Sequence, residues 1–307
     1  MIIRVGTRAS QLALAQAKWV VDRIAERYPD VTVDVVKVRT KGDRIVDRPL
    51  SRIGGKGLFV KEIEEALQRE RIDVAIHSLK DVPVELPEDL CIGVIPQRED
   101  PHDVMISRDN VALKDLPAGS SIGTSSLRRA AQLLHCRSDL NIRPMRGNLD
   151  TRIRKLHTTD IQAIIVAAAG LKRMGLSGKI AEYIPFDMML PAIGQGALGL
   201  ELRKEDAQAI DLLSFLDHFP TRVAVEAERA FLLELKGGCE LPAAALAELS
   251  GQSIHLDGLV ASPDGIRLIR DTTEGSVNKA RELGATLART LLDAGAKQII
   301  DEIYGKG

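Results

Sequence analysis

Basic and hydroxyl side chains in this sequence follow segments that have the pattern of short buried strands. Arg8 and Ser10 come shortly after Gly6. A run of hydroxyl residues and two arginines, 124–129, comes directly after Gly123. Arginine can hold a carboxylate or a phosphate with two parallel hydrogen bonds, and a helix N-terminus adds oriented N–H donors. The pattern therefore indicates a site for a small molecule that carries several negative charges.

The wider set of basic residues shares this placement at strand ends and helix starts. Its members are Arg8, Lys80, Arg128, Arg129, Arg146, Arg152 and Arg173. Solvation or weak surface ion pairing is the alternative for any such residue, and for Arg173 and Arg154 that alternative stays open. For Arg128 and Arg129 a binding role is favoured, because the corner after a strand is where an α/β lobe presents its ligand contacts.

Two further residues could act on a bound substrate. Asp81 follows Lys80, and a carboxylate beside basic groups stays ionised and can stabilise a cation that forms nearby. Cys239 lies in segment 236–242, where two glycines and a proline predict a loop. On spacing alone, an ordinary turn residue and an ordinary loop thiol are the better interpretations.

The first two thirds of the chain alternate short apolar strands with amphipathic helices, which predicts parallel sheets covered by helices. Strands are predicted over 2–6, 31–38 and 73–77, and helices over 11–28 and 61–69. The corner at 6–7 resembles the one at 123–124, and segment 75–80 resembles 167–172. We therefore predict an α/β protein with two similar lobes and a shared cleft.

Linkers rich in proline and charge predict the domain boundaries. The first lobe would comprise 1–96 with 192–216, and the second 102–190. The two crossings of the chain between them suit a closing cleft. After residue 220 the pattern predicts a helix over 222–235, a hairpin of strands 254–260 and 266–270, and a helix over 277–292. This is a small α+β domain at 220–307.

Composition argues against several classes of protein. The 45% hydrophobic and 28% charged residues are typical of a globular chain, while a net charge of −1 and 3% aromatic residues argue against a nucleic-acid-binding module. No run approaches the ~20 apolar residues of a membrane span, and the N-terminus lacks a secretory pattern. Cys91, Cys136 and Cys239 have neither disulfide nor zinc spacing, and the six histidines are scattered. We expect a cytoplasmic protein without a bound metal, membrane or nucleic acid.

Eight segments occur together in an order that resembles the porphobilinogen deaminase (hydroxymethylbilane synthase) family along nearly the whole chain. They are GTRAS at 6–10, TKGD at 40–43, GGKGLF at 54–59, HSLKDVP at 77–83, GTSSLRR at 123–129, RGN at 146–148, LPAIGQG at 190–196 and GGC at 237–239. Each is weak alone, but their joint order is specific. The resemblance implies two lobes like type II periplasmic binding proteins, a third domain, and a monomer.

The resemblance also implies a reaction. Porphobilinogen is a pyrrole with acetate, propionate and aminomethyl groups. Four units would be joined head to tail, each losing ammonia to give an azafulvene cation that the terminal pyrrole of the chain attacks. A dipyrromethane cofactor, attached through a thioether to Cys239, would prime the chain, and water would release hydroxymethylbilane, a haem precursor.

The resemblance gives the candidate residues their roles. Asp81 would be catalytic, holding pyrrole N–H groups and stabilising positive charge, and Lys56 would lie in a loop that contacts substrate. The implied cofactor contacts are Ser78, Lys80, Thr124, Ser126, Arg128, Arg129, Arg146 and Asn148. The implied substrate contacts are Arg8, Ser10, Lys56, Arg146, Arg152 and Arg173.

Two other functions fit part of the pattern. A non-catalytic anion-binding protein of the same fold would not turn over porphobilinogen. A nucleotide-dependent enzyme could use the G-x-G-x-x-G match at 194–199, but this segment opens no βαβ unit and precedes a strand-like stretch. We expect the first to be excluded by turnover and the second by the absence of stabilisation by nucleotides.

Overall fold

Three β-sheets organise the part of the chain that the computed structural model describes, residues 1–40, 60–238 and 240–305. The strands are, in chain order, β1 (Ile2–Arg8), β2 (Thr32–Val38), β3 (Val74–Ser78), β4 (Leu90–Val94), β5 (Asp103–Ser107), β6 (Ser121–Gly123), β7 (Asn141–Arg143), β8 (Ala163–Ala167), β9 (Glu182–Tyr183), β10 (Leu198–Arg203), β11 (Ala243–Ser250), β12 (Ser253–Ala261) and β13 (Leu268–Ser276). The α-helices are α1 (Gln11–Arg27), α2 (Lys61–Gln68), α3 (Leu127–Cys136), α4 (Leu149–Thr158), α5 (Ala168–Arg173), α6 (Ala207–Leu213), α7 (Phe219–Glu234), α8 (Ala280–Leu291) and α9 (Lys297–Tyr304).

The first lobe is built on a mixed sheet of order β2-β1-β3-β10-β4. β1 pairs in parallel with β2 and β3, whereas β10 runs antiparallel to β3 and β4. One face packs on α1 and α6 through an apolar cluster that includes Val20, Ile24 and Leu213. α2 supplies Ile63 and Leu67 to a second cluster. Each helix thus buries one apolar stripe against the sheet.

The second lobe repeats this arrangement with a sheet of order β7-β6-β8-β5-β9. β6 is parallel to β7 and β8, and β5 is antiparallel to β8 and β9. Ala75 lies opposite Gly6 in the first lobe and Ile164 lies opposite Gly123 in the second, which makes Ala75 and Ile164 equivalent. The predicted pair of similar α/β lobes is therefore confirmed.

One part of the predicted repeat is wrong in register. The sequence paired 75–80 with 167–172, but the strand pairing makes Ser78 equivalent to Ala167, because both lie opposite the first residue of the antiparallel strand. The sequence match is displaced by three residues. Both segments place small and apolar residues at a strand end, and that likeness of composition produced the false alignment.

The C-terminal domain consists of the antiparallel sheet β11-β12-β13 and helices that cover it. α7 and α8 approach closely at Gly284, where a Cβ atom would lie 2.1 Å from the carbonyl oxygen of Ala227. Apolar residues of α7, β12 and α8 form its core around Phe231. This confirms the predicted small α+β domain.

The elements predicted for the first 80 residues are found within two residues of their expected ends. In the C-terminal domain, the hairpin strands are longer than predicted, and β11 and α9 were missed. By contacts, the chain forms two compact units, Met1–Glu99 with Gly196–Arg222, and Asp100–Gln195 with Val223–Gly307. The second lobe and the C-terminal domain fall in the same unit, and the domain boundaries predicted from the linkers stay predictions.

Candidate active site

The carboxyl ends of the parallel strands β1 and β3 bring predicted site residues to one edge of the first lobe. Arg8 is the last residue of β1, and Ser78 is the last residue of β3. Ser10 caps α1, where its hydroxyl accepts a hydrogen bond of 3.3 Å from the backbone N–H of Ala13. Because parallel neighbours end at the same edge, Arg8 and Ser78 share this edge.

A 3₁₀ turn, Leu79–Asp81, follows β3 and carries the predicted catalytic residue. Leu79 is buried and anchors the turn, while Asp81 is exposed and Lys80 is half-buried. The buried side chain of Gln16 donates a hydrogen bond of 2.8 Å from Nε2 to the Ser78 hydroxyl oxygen. Because Ser78 accepts here, its own O–H proton is directed to another acceptor.

The equivalent corner of the second lobe follows β6. Thr124 is buried, and its hydroxyl oxygen accepts from the backbone N–H of Ser126 at 3.2 Å. Ser126 caps α3 by accepting from the backbone N–H of Arg129 at 3.4 Å. The backbone packs closely at Gly123, where a Cβ atom would lie 2.8 Å from Cε of Met145 and would displace that side chain. The corner thus presents a helix N-terminus that favours anions.

Arg128 and Arg129 are 6% and 5% exposed, and both bind the fully buried carboxylate of Asp103. Nη1 of Arg128 donates to Oδ2 at 2.6 Å, while Nε and Nη2 of Arg129 donate to Oδ1 at 2.9 and 2.6 Å. Burial alone would raise the pKa of Asp103, but the two guanidinium groups hold that pKa far below its usual 3.8. Two cations thus share one carboxylate, which leaves this three-residue cluster with a net positive charge.

The remaining predicted residues of the second lobe lie on or next to α4 and α5. Asn148 is exposed and stands at the N-cap of α4, and Arg146 is half-buried two residues before it. Nε of Arg152 donates to the carbonyl oxygen of Gly147 at 2.9 Å, at a glycine with a φ of 114°. Arg173 is half-buried at the end of α5. Their binding roles stay predictions.

Cys239 and Lys56 lie outside the described residues, as do segments 41–59 and 306–307. In the chain, Gly237 and Gly238 come after α7, and Leu241, two residues after Cys239, is buried. The covalent and loop roles of these two residues stay predictions.

Sequence reasoning missed the residues that orient the predicted ones. Asp103 follows Pro101 and His102 without any local motif, and its partners are 25 and 26 residues away. Gln16 and Gln132 occupy the same position of the repeated helix, which was a usable signal. Gln132 binds the backbone of Leu190, accepting from its N–H at 2.8 Å and donating to its carbonyl oxygen at 3.1 Å.

A buried pair of polar side chains in hydrogen-bond contact also lies in the first lobe. Nε2 of His77 is 2.8 Å from Oε2 of Glu201, and both side chains are almost fully buried. Oε1 of Glu201 is buried without a hydrogen-bond partner in the structure. Among the described residues, no group of three or more His, Cys, Asp or Glu side chains could hold a metal ion. None of the helices in that part of the chain is long and apolar enough to cross a bilayer.

One solved structure with a partly similar arrangement has low sequence identity to this chain. The methionine-binding protein MetQ is 13% identical and has a TM-score of 0.46, covering 70% of this chain and 89% of that one. The lobes are therefore defined by their own strand order rather than by this likeness.

Sequence relatives are much closer. The porphobilinogen deaminase of Geobacter metallireducens is 52% identical over 98% of this chain and 95% of its own. That of Alkaliphilus metalliredigens is 48% identical over 98% and 95%. The family model "Porphobilinogen deaminase, dipyromethane cofactor binding domain" matches residues 3–211, and "Porphobilinogen deaminase, C-terminal domain" matches 223–293. The chain belongs to the porphobilinogen deaminase family.

Proposed function

We propose that this chain condenses porphobilinogen with loss of ammonia, in tetrapyrrole biosynthesis, with Asp81 at the reacting centre. The observation that carries the proposal is the place of Asp81. Its carboxylate is exposed on the turn that ends β3, next to Lys80, in a chain that the cofactor-binding family model matches over 3–211.

The chemistry explains why a carboxylate is needed there. The C–N bond of the protonated aminomethyl group breaks, ammonia leaves with the bonding electrons, and the positive charge passes to the pyrrole. A C–C bond then forms with the free α-carbon of another pyrrole, which loses its proton to water. The Asp81 carboxylate accepts hydrogen bonds from pyrrole N–H and stabilises the developing cation, because opposite charge in a fixed position lowers the barrier.

The other predicted residues hold the carboxylates of substrate and product. Each pyrrole adds an acetate and a propionate, so the chain gains two negative charges at every addition. Arg8, Lys80, Arg146, Arg152 and Arg173 supply cations. Ser10, Ser78, Thr124, Ser126 and Asn148 supply neutral hydrogen-bonding groups. Arginine is suited to this task because its guanidinium fork matches a carboxylate.

The residues present fit a dipyrromethane cofactor. The surplus charge of Arg128 and Arg129 over Asp103 suits a polycarboxylate, and the N-terminus of α3 lies beside it. The bound cofactor supplies the pyrrole α-carbon to which the first substrate is joined. We assign its thioether link to Cys239 and a substrate contact to Lys56. A cytoplasmic monomer completes the proposal, and sedimentation of the purified protein tests the monomer.

The intact mass of the denatured protein tests the cofactor assignment. We expect a surplus equal to two linked pyrrole units in the wild type, its absence in Cys239→Ala, and its retention in Cys136→Ala, which removes an exposed thiol of α3. An unmodified wild type is incubated with porphobilinogen and measured again. If the mass then stays unmodified, or if Cys239→Ala carries the same surplus, the carrier assignment is wrong.

A further inference from the structure

We infer that Asp103 is a positioning residue, which holds the guanidinium of Arg128 in the orientation that receives a carboxylate of the bound ligand. This inference rests on the proposed function, since it assigns Arg128 to an anionic ligand. Asp103 itself is fully buried and has no exposed atom to offer a ligand. It would therefore act only through its partners.

The carboxylate of Asp103 is saturated by donors from three side chains. Arg128 uses Oδ2, while Arg129 and Gln195 use Oδ1, the last from Nε2 at 3.0 Å. Arg129 also donates from Nη1 to the carbonyl oxygen of Ile165 at 3.0 Å, which ties it to β8. All three side-chain nitrogens of Arg129 thus donate hydrogen bonds, and these bonds hold Arg129 in place within the cluster.

Arg128 is held at one nitrogen only. Within the described residues, both hydrogen bonds of its guanidinium come from Nη1, to Asp103 and to the carbonyl oxygen of Leu190, each at 2.6 Å. These two bonds fix the plane of the group and leave Nε and Nη2 to another acceptor. The charge of Arg128 also exceeds what one shared carboxylate neutralises, so a second carboxylate is the acceptor that the site requires.

The fold does not need this cluster. In the first lobe, the strand position equivalent to Asp103 is Leu198, and the helix positions equivalent to Arg128 and Arg129 are Leu12 and Ala13. The same strand order forms there from apolar residues. A purely structural role for three buried charges is therefore poorly supported, because burying charge costs more than packing apolar groups.

The place of Asp103 in the sheet agrees with a role at the site. It lies opposite Ala167, the last residue of β8, at the edge where the parallel strands of the second lobe end. This is the edge that carries Thr124 and the N-terminus of α3.

Asp73 provides a matched control. Its carboxylate also binds two arginines, accepting from Nη2 of Arg4 at 2.6 Å and lying 3.5 Å from Nη2 of Arg203. It precedes β3, at the opposite edge of the first-lobe sheet, where the parallel strands begin. Asp73→Asn therefore removes a comparable clamp at a place with no predicted site residue.

The test compares Asp103→Asn, Asp73→Asn and wild type as full-length proteins produced without porphobilinogen. The first readout is the rate of pyrrole mass gain at increasing porphobilinogen concentration. We expect Asp103→Asn to need roughly 10- to 100-fold more porphobilinogen for half its limiting rate, because a misplaced binding group can cost that much, with the limiting rate changed only a few-fold. Asp73→Asn should keep the wild-type concentration dependence, even if both variants melt at lower temperature.

The second readout is independent of the reaction and uses citrate as a polycarboxylate probe in isothermal titration. We expect citrate to bind about tenfold more weakly to Asp103→Asn than to wild type or Asp73→Asn. Equal or tighter binding by Asp103→Asn, or no binding by wild type, overturns the inference. If the three proteins bind citrate with the expected relative affinities but wild type gains no pyrrole mass, the proposed function fails and the role of Asp103 stands.

Discussion

The two lobes have the same strand order, yet each buries polar side chains where the other is apolar. In the first lobe, the polar pair is His77 and Glu201, whose equivalents in the second lobe are Val166 and Ile106. In the second lobe, the charged cluster is Asp103 with Arg128 and Arg129, whose equivalents in the first lobe are apolar. The fold thus tolerates an apolar core at either place.

This difference distinguishes positions that are needed for the folding of a lobe from positions that are needed for ligand binding or reaction. Buried ion pairs add little stability compared with apolar packing, so their presence in only one lobe calls for a role other than folding. The second-lobe cluster lies at the strand-end edge and suits ligand binding. In the first-lobe pair, His77 lies on β3, the strand that leads into Lys80 and Asp81, and Glu201 lies on the neighbouring strand β10.

The largest effect is expected from Asp81→Asn. Asp81 has no acidic counterpart in the second lobe, where the residue three positions after Ala167 is Gly170. Loss of the fixed negative charge should lower turnover by about 1000-fold, while folding and cofactor loading stay normal. Steady-state consumption of porphobilinogen and intact mass measure the two properties separately.

Arg128→Ala should have the opposite effect to Asp81→Asn. It should impair cofactor loading, which precedes the addition of substrate. If Asp81→Asn keeps the wild-type rate, the first lobe does not carry the reacting carboxylate. If it loses the cofactor instead, Asp81 is a binding residue.

A smaller effect, on stability, is expected when His77 and Glu201 are replaced by the residue types of their second-lobe equivalents, valine and isoleucine. His77→Val leaves Glu201 buried without its partner, and this should destabilise the protein by roughly 3 kcal/mol. The double variant H77V/E201I removes both polar side chains and should recover most of that loss. Urea unfolding, followed by hydrogen exchange at β3, reports the stability of this lobe.

The double variant also tests whether the pair is only structural. Normal turnover with recovered stability would show that the pair serves neither fold nor reaction. A double variant as unstable as His77→Val would mean that the two lobes are not interchangeable at these positions.

The sequence predicted what local pattern determines and missed what distant packing determines. The corners at Gly6 and Gly123 could be found because each has a Gly-Thr pair, an N-cap serine and a glutamine six residues after that serine. β11 could not, because Ala243–Ser250 is rich in alanine and leucine, which favour helices, and it is a strand only through its pairing with β12. The clamp of Asp103 on Arg128 and the contact of His77 with Glu201 join residues 25 and 124 positions apart, and no local motif marks them.

The smallest expected effect is a difference in the pH dependence of the lobes. Burial, and then the negative charge of Glu201, raises the pKa of Glu64 above 4.5, whereas the arginines lower that of Asp103 below 3.8. A raised carboxyl pKa means that the folded state binds the proton more tightly than the unfolded state. The first lobe therefore loses stability as pH rises from 4.5 through the raised pKa of Glu64. A lowered pKa has the opposite sign, and the second lobe loses stability as pH falls below 3.8.

Hydrogen exchange of β3 and β8 amides from pH 3.5 to 7.5 can follow each lobe separately. Relative to Glu64→Gln, the wild-type β3 protection should decline as pH rises, and β8 protection should not respond to this variant. In H77V/E201I the decline should be smaller, because Glu201 raises the pKa of Glu64 by more than His77 lowers it, and both are gone while the burial of Glu64 remains. If the decline of β3 protection is unchanged in this variant, burial alone raises the pKa of Glu64. If β8 protection also declines relative to Glu64→Gln, the stabilities of the two sheets do not depend on pH independently.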